Sequence, residues 1–204
     1  MNQEPIMMNL NSNKPLFVTG IGTGVGKTYV SAHLVETMQA DYWKPIQSGD
    51  LDQSDTMKVR SMVKNSVSVF YPEAYRLTQP FSPHKSAELD GIIVDPEKIV
   101  LPKTQNQLIV EGAGGLMVPL NDHFLMIDLI RHLKAEVVLV VMNYLGSINH
   151  TLLSIAVLKN EGLPINRVIF NGITDKYSED LIKKKYPELR YEALAWINSE
   201  AVLV

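Results

Sequence analysis

The segment Gly20-Ile21-Gly22-Thr23-Gly24-Val25-Gly26-Lys27-Thr28 constrains this chain more than any other. Apolar and β-branched residues precede it over 15–19. Residues 27–39 follow it, with Val30, Leu34, Val35 and Met38 recurring at helical spacing. A strand, a glycine-rich loop and a helix are the context in which Gly-Lys-Thr reads as a phosphate loop. Glycines carry no Cβ, so successive backbone N–H groups can wrap a polyphosphate, and the helix N-terminus adds partial positive charge. Lys27 is then expected at the β- and γ-phosphates, and the Thr28 hydroxyl on Mg²⁺. The spacing is unusual in one respect. The common pattern sets a glycine five positions before the glycine of Gly-Lys, where this chain has Ile21, and Gly20 stands one residue earlier.

The rest of the chain alternates in the same way. Strands are expected over 42–46, 107–110, 137–141, 167–171 and 191–197, with Pro45 closing the first. Residues 137–141 are apolar on both faces, as a central parallel strand requires. Helices are expected over 54–64 with Ser54 or Asp55 as N-cap, over 125–133, over 148–160 with Gly162 stopping it, and over 178–185 with Ser178 as N-cap. Residues 70–90 carry three prolines and read as loop with a short helix. This order predicts an α/β class, a P-loop NTPase fold with a mostly parallel β-sheet and helices on both faces. Residues 1–13 read as a flexible leader and 14–204 as one domain, in keeping with a length of 204 residues.

Composition excludes several chemistries. The chain has no cysteine, which removes disulfides, thiolate metal sites and thiol catalysis. A net charge of −3 gives no general attraction to nucleic acid or anionic lipid. The N-terminus lacks the basic and apolar regions of a secretory signal, and no apolar run approaches the ~20 residues of a membrane span. A cytoplasmic protein is the expectation.

Mg²⁺ prefers oxygen ligands, so a nucleotide site needs acids near strand ends. Glu111 follows Leu108-Ile109-Val110, where the second acid of such a site belongs, and the Gly-Ala-Gly-Gly after it permits close backbone approach. Asp55 stands near a helix start, where it serves equally as a cap or as a ligand.

Taken together, these residues resemble the dethiobiotin synthetase family. The resemblance rests on five ordered segments: the loop through Gly26-Lys27-Thr28, Lys44-Pro45-Ile46-Gln47-Ser48-Gly49, Phe81-Ser82-Pro83-His84, Val110-Glu111-Gly112-Ala113-Gly114-Gly115, and Leu145-Gly146-Ser147-Ile148-Asn149-His150-Thr151. It implies an ATP-dependent ligase of biotin biosynthesis that closes a ureido ring on 7,8-diaminopelargonate with CO2. The implied course runs through a carbamate and its phosphorylated anhydride, and releases ADP and phosphate. It also implies roles. Lys27, Lys44 and Thr23 would be catalytic, and neutralising charge in an attack of anion on anion would be the largest effect. Ser48 would bind substrate, and Leu145, Gly146, Ser147, Ile148 and Asn149 would hold its carboxylate. That loop would come from the neighbouring subunit of a homodimer. Gly24, Val25, Gly26, Lys27, Thr28, Tyr29 and Asn171 would bind ATP, and Thr28, Asp55 and Glu111 would bind Mg²⁺. His84 and His150 have no metal-ligand partner at useful spacing and read as packing residues.

The chain departs from the family pattern in two places. Gly22 and Gly24 stand where the family often has polar or acidic residues, and residues 191–198 lack the usual proline-containing strand end. Two other readings compete. A partition-type ATPase carries a signature lysine where Gly22 stands. An amidoligase-type synthetase needs a glutamine-hydrolysing cysteine, and this chain has none.

Overall fold

The structure is a computed structural model, and it describes residues 14–195. The leader proposed for 1–13 and the last residues of the strand expected over 191–197 lie outside the described residues.

The strands are β1 (Leu16–Gly20), β2 (Asp41–Trp43), β3 (Ile46–Ser48), β4 (Phe70–Tyr71), β5 (Tyr75–Leu77), β6 (Leu108–Glu111), β7 (Pro119–Asn121), β8 (Phe124–Leu125), β9 (Glu136–Val141), β10 (Ile165–Asn171) and β11 (Tyr191–Leu194). The helices are α1 (Lys27–Met38), α2 (Asp55–Met62), α3 (Pro83–Leu89), α4 (Met126–His132), α5 (Ser147–Asn160) and α6 (Lys176–Lys185). Seven strands form one sheet in the order β11-β10-β9-β1-β6-β2-β4, and every neighbouring pair is parallel. The chain starts at the centre with β1, moves out to β2 and β4, returns at β6, and then crosses to the other edge through β9, β10 and β11. The β1-to-β2 and β9-to-β10 connections run in opposite directions along the sheet, and the right-handed rule for such crossovers places α1 and α5 on opposite faces.

Burial explains the order. Phe17, Val18, Ile109, Val110 and the whole of 137–141 are fully buried, so the three inner strands are apolar on both sides. Val30, Leu34 and Val35 of α1 cover one face. Near the β2 edge, the buried carboxylate of Asp41 accepts four bonds: from the Val69 backbone N–H at 2.8 Å, the Tyr71 hydroxyl at 3.2 Å, the Thr104 hydroxyl at 2.5 Å and Asn106 Nδ2 at 3.0 Å. Burial pushes its pKa up, but the bonds from Thr104, Asn106, Val69 and Tyr71 outweigh that and hold it below the usual value.

Several expectations change. The strand expected over 42–46 is two strands. β2 belongs to the main sheet, whereas β3, beyond Pro45, pairs with β5 in a separate parallel ladder. The stretch 70–90 holds β4 and β5 as well as a helix. β7 and β8 form a small antiparallel ladder that the sequence pattern does not signal. The N-cap of α6 is Asp175, whose carboxylate accepts from the Tyr177 and Ser178 N–H groups, and Ser178 lies inside the helix. Helix α2 is capped by Ser54, whose hydroxyl accepts from Met57 N–H at 3.4 Å. Asp55 is thereby left as its first helical residue, with its carboxylate not needed as the cap.

Candidate active site

The phosphate loop runs from the C-terminal end of β1 to Gly26, the N-cap of α1. Gly26 has φ +87°, and a Cβ there would lie 2.0 Å from Asn171 Nδ2. Only glycine fits both constraints. Asn171, the last residue of β10, donates from Nδ2 to the Val25 carbonyl at 2.9 Å, and its buried Oδ1 has no partner among the described residues. The Nδ2 bond ties the end of β10 to the loop. Lys27 folds back on the loop and donates to the Gly22 carbonyl at 3.0 Å. Burial lowers its pKa to about 8; the positive charge of Lys44 acts in the same direction, and Glu111 and Asp55 oppose it.

A cavity of about 640 Å³ opens beside the loop, at the carboxyl ends of β1 and β6. Thr23, Gly24, Gly26, Lys27, Thr28, Lys44, Ser48, Asp55 and Glu111 all line it. Glu111, the last residue of β6, is 1% exposed. Its Oε1 accepts from the Thr28 hydroxyl at 2.9 Å and from Lys44 Nζ at 3.3 Å. Lys44 also meets Asp55 Oδ2 at 2.8 Å, so one buried ammonium joins both carboxylates. Burial disfavours that ammonium, yet the charges of Glu111 and Asp55 raise its pKa above the ordinary lysine value. Burial raises Asp55, while the charge and hydrogen bond of Lys44, then Lys58 and Thr28, bring it below the ordinary carboxylate value. Ser48 Oγ is buried at the cavity wall and has no partner among the described residues. In a buried setting such an atom awaits a ligand or water.

Two carboxylates and a hydroxyl at one point are hard oxygen donors, which suits Mg²⁺. Among the described residues no group of three or more His, Asp or Glu side chains gathers to hold a metal. A cation here would therefore share these donors with substrate phosphates, as Mg²⁺ commonly does.

The remaining expected residues lie elsewhere. Leu145, Gly146, Ser147, Ile148 and Asn149 are absent from the cavity lining, and Leu145 is fully exposed. Gly146, at φ +104°, is the N-cap of α5, and Asn149 lies in its first turn. The Tyr29 hydroxyl donates to the Ala195 carbonyl at 3.4 Å, away from the cavity. His84 bonds to the Ser82 hydroxyl and the exposed His150 to the Tyr144 hydroxyl. Sequence reasoning missed two residues. Gln47 Oε1 accepts from the Asp55 backbone N–H at 3.1 Å and its Nε2 donates to the Gly49 carbonyl at 2.9 Å, which ties β3 to the start of α2. Tyr42 donates to Glu111 Oε2 at 3.0 Å. Gln47 stands inside one of the segments that carry the resemblance, whereas nothing in the sequence singles out Tyr42.

Comparison with known proteins identifies the family. A family described as an AAA domain matches residues 14–203. The chain is 52% identical over 171 residues to the ATP-dependent dethiobiotin synthetase BioD of Christiangramia forsetii, covering 84% of this chain and 82% of that one. It is 46% identical over 188 residues to the protein of the same name from Cytophaga hutchinsonii, covering 92% and 89%. The namesake from Rhodopseudomonas palustris is 47% identical over 168 residues, covering 82% and 79%. Among solved structures, a ParA family ATPase from Chlorobium tepidum superposes with a TM-score of 0.57 at 15% identity, covering 92% of this chain and 87% of that one, which speaks for the fold alone. With a parallel sheet of this order, a phosphate loop at its centre and relatives this close over most of its length, the chain belongs to the ATP-dependent dethiobiotin synthetases.

Proposed function

We propose that this protein closes the ureido ring of dethiobiotin from 7,8-diaminopelargonate, CO2 and ATP, as a cytoplasmic homodimer built from one domain per chain. One observation carries the reading: Lys27, Lys44, Thr28, Asp55 and Glu111 converge on one cavity. An amine of the substrate adds to CO2, forming an N–C bond and releasing a proton. A carbamate oxygen then attacks the γ-phosphorus of ATP, and ADP leaves. The second amine attacks the carbonyl carbon of the mixed anhydride, an N–C bond forms and the C–O bond breaks, the amine gives up a proton, and phosphate departs with the ring closed.

The attack on phosphorus brings one anion against another, so cations at the reacting atoms supply most of the acceleration. Lys27 belongs on the β- and γ-phosphates. Lys44 belongs between carbamate and transferring phosphoryl group. Mg²⁺, held by Thr28, Asp55 and Glu111, would supply further charge neutralisation at the phosphates. Gly24, Val25, Gly26 and Tyr29 belong to the ATP contacts, and Asn171, beside the loop, would contact the base. Thr23, and Ser48 with its unpartnered hydroxyl, would hydrogen-bond the carbamate or substrate. Residues 145–149 would reach the substrate carboxylate in the neighbouring subunit, with the N-terminus of α5 behind them.

The test is direct. Purified protein with diaminopelargonate, bicarbonate, Mg²⁺ and ATP should release phosphate in step with a ureido product; no substrate-dependent release would overturn the reading. Lys44→Ala should lower turnover at least about a hundredfold while ATP still binds, and unchanged turnover would reject its role.

A further inference from the structure

Tyr42 lies on β2, next to β6 in the sheet, and is fully buried. Its hydroxyl has one acceptor, Glu111 Oε2, at 3.0 Å. The other carboxylate oxygen, Oε1, faces Thr28 and Lys44 at the cavity. The two oxygens of Glu111 therefore have different surroundings. Oε2 is fixed from behind by a neutral donor, and Oε1 is presented to whatever occupies the cavity.

We propose that Tyr42 is a positioning residue for the metal: its hydroxyl locks the rotation of the Glu111 carboxylate so that Oε1 is presented to the cation. The proposal rests on Glu111 being a ligand to Mg²⁺. A carboxylate on a terminal sp³–sp² torsion has a broad rotational range, so a strand-end glutamate needs an outside restraint to hold one oxygen forward. Donors that bond the far oxygen of a ligating carboxylate supply that restraint, and their loss commonly weakens a metal site 10–100-fold. Tyr42 is rigidly held. Its backbone pairs with β6 and β4, and its ring lies 6.0 Å from that of Phe70. A phenol also spares Glu111 an unpaired buried oxygen without adding a second positive charge that would compete with the cation.

The test is Tyr42→Phe, which keeps the ring and its packing. Binding of Mn²⁺ to the protein with a non-hydrolysable ATP analogue would be followed by electron paramagnetic resonance, and nucleotide binding in EDTA by calorimetry. We expect metal affinity to fall roughly tenfold or more, metal-free nucleotide affinity to stay within about twofold, and the Mg²⁺ needed for half-maximal turnover to rise in parallel. A role in packing alone would lower the melting temperature and leave the metal titration superimposable on wild type, which would overturn the proposal. Glu111→Gln separates the two readings. If it weakens Mn²⁺ binding and Tyr42→Phe does not, Tyr42 has no positioning role. If neither variant changes Mn²⁺ binding, the assignment of Glu111 as ligand fails and the proposal falls with it.

Discussion

Gly26 carries two demands at one position: a left-handed backbone and a neighbour too close for any side chain. Gly26→Ala should strain the loop by about 1–3 kcal/mol and displace Asn171, weakening ATP binding roughly 10–100-fold. Calorimetric titration with ATP checks this, and an affinity equal to wild type would mean that the loop has room to relax. Residues of this kind were legible early, because Gly-Lys-Thr after a β-branched run has a mechanism attached to its spacing. Glu111 was legible for the same reason, as the residue that ends a fully apolar strand. Tyr42 was not, because a tyrosine in Asp41-Tyr42-Trp43 reads as core until its hydroxyl is seen on Glu111.

Among the elements, length decided what could be read. The inner strands announce themselves by unbroken apolar runs, and α1 by its 3.6-residue period. β3, β4, β5, β7 and β8 have two or three residues each, and pairing with distant segments, rather than their own composition, makes them strands. Pro45 marked an end correctly but hid that the chain resumes as a strand of another ladder. The β2–β4 edge depends on Asp41, an ionised group buried among neutral donors. Since its folded pKa is depressed, it adds stability that is present above its unfolded pKa of about 4 and lost as pH falls through the folded value. Asp41→Asn sets an amide N–H against existing donors and should cost about 1–3 kcal/mol, lowering the melting temperature by roughly 2–10 °C at pH 7. Thermal denaturation at pH 7 and pH 3.5 should find the gap between variant and wild type narrowing in acid; an equal gap at both would reject the ionised role of Asp41.

At the scale of the whole molecule, the cleft holds Lys27, Lys44, Thr28, Asp55 and Glu111, while residues 145–149 stand outside it and Leu145 is fully exposed. If two chains complete each other's sites, lesions in the two halves complement. Co-expressing Lys44→Ala with Gly146→Val gives mixed dimers in which one site carries both lesions and the other carries neither. Random pairing should restore about a quarter of wild-type turnover from two inactive parents. Activity no greater than that of the parents would mean that each chain works alone. The cleft has a further consequence for how ligands arrive. Lys27, Lys44 and Lys58 line it together with Asp50, Asp55 and Glu111, three cations with three carboxylates. Charges that cancel within one Debye length project little field beyond the mouth. A triphosphate approaching this protein, whose net charge is −3, is not drawn in from afar. It must collide with the opening, and only after contact would it feel the loop amides and lysines proposed to hold it. Capture is then governed by diffusion and fit, and its rate should depend little on ionic strength.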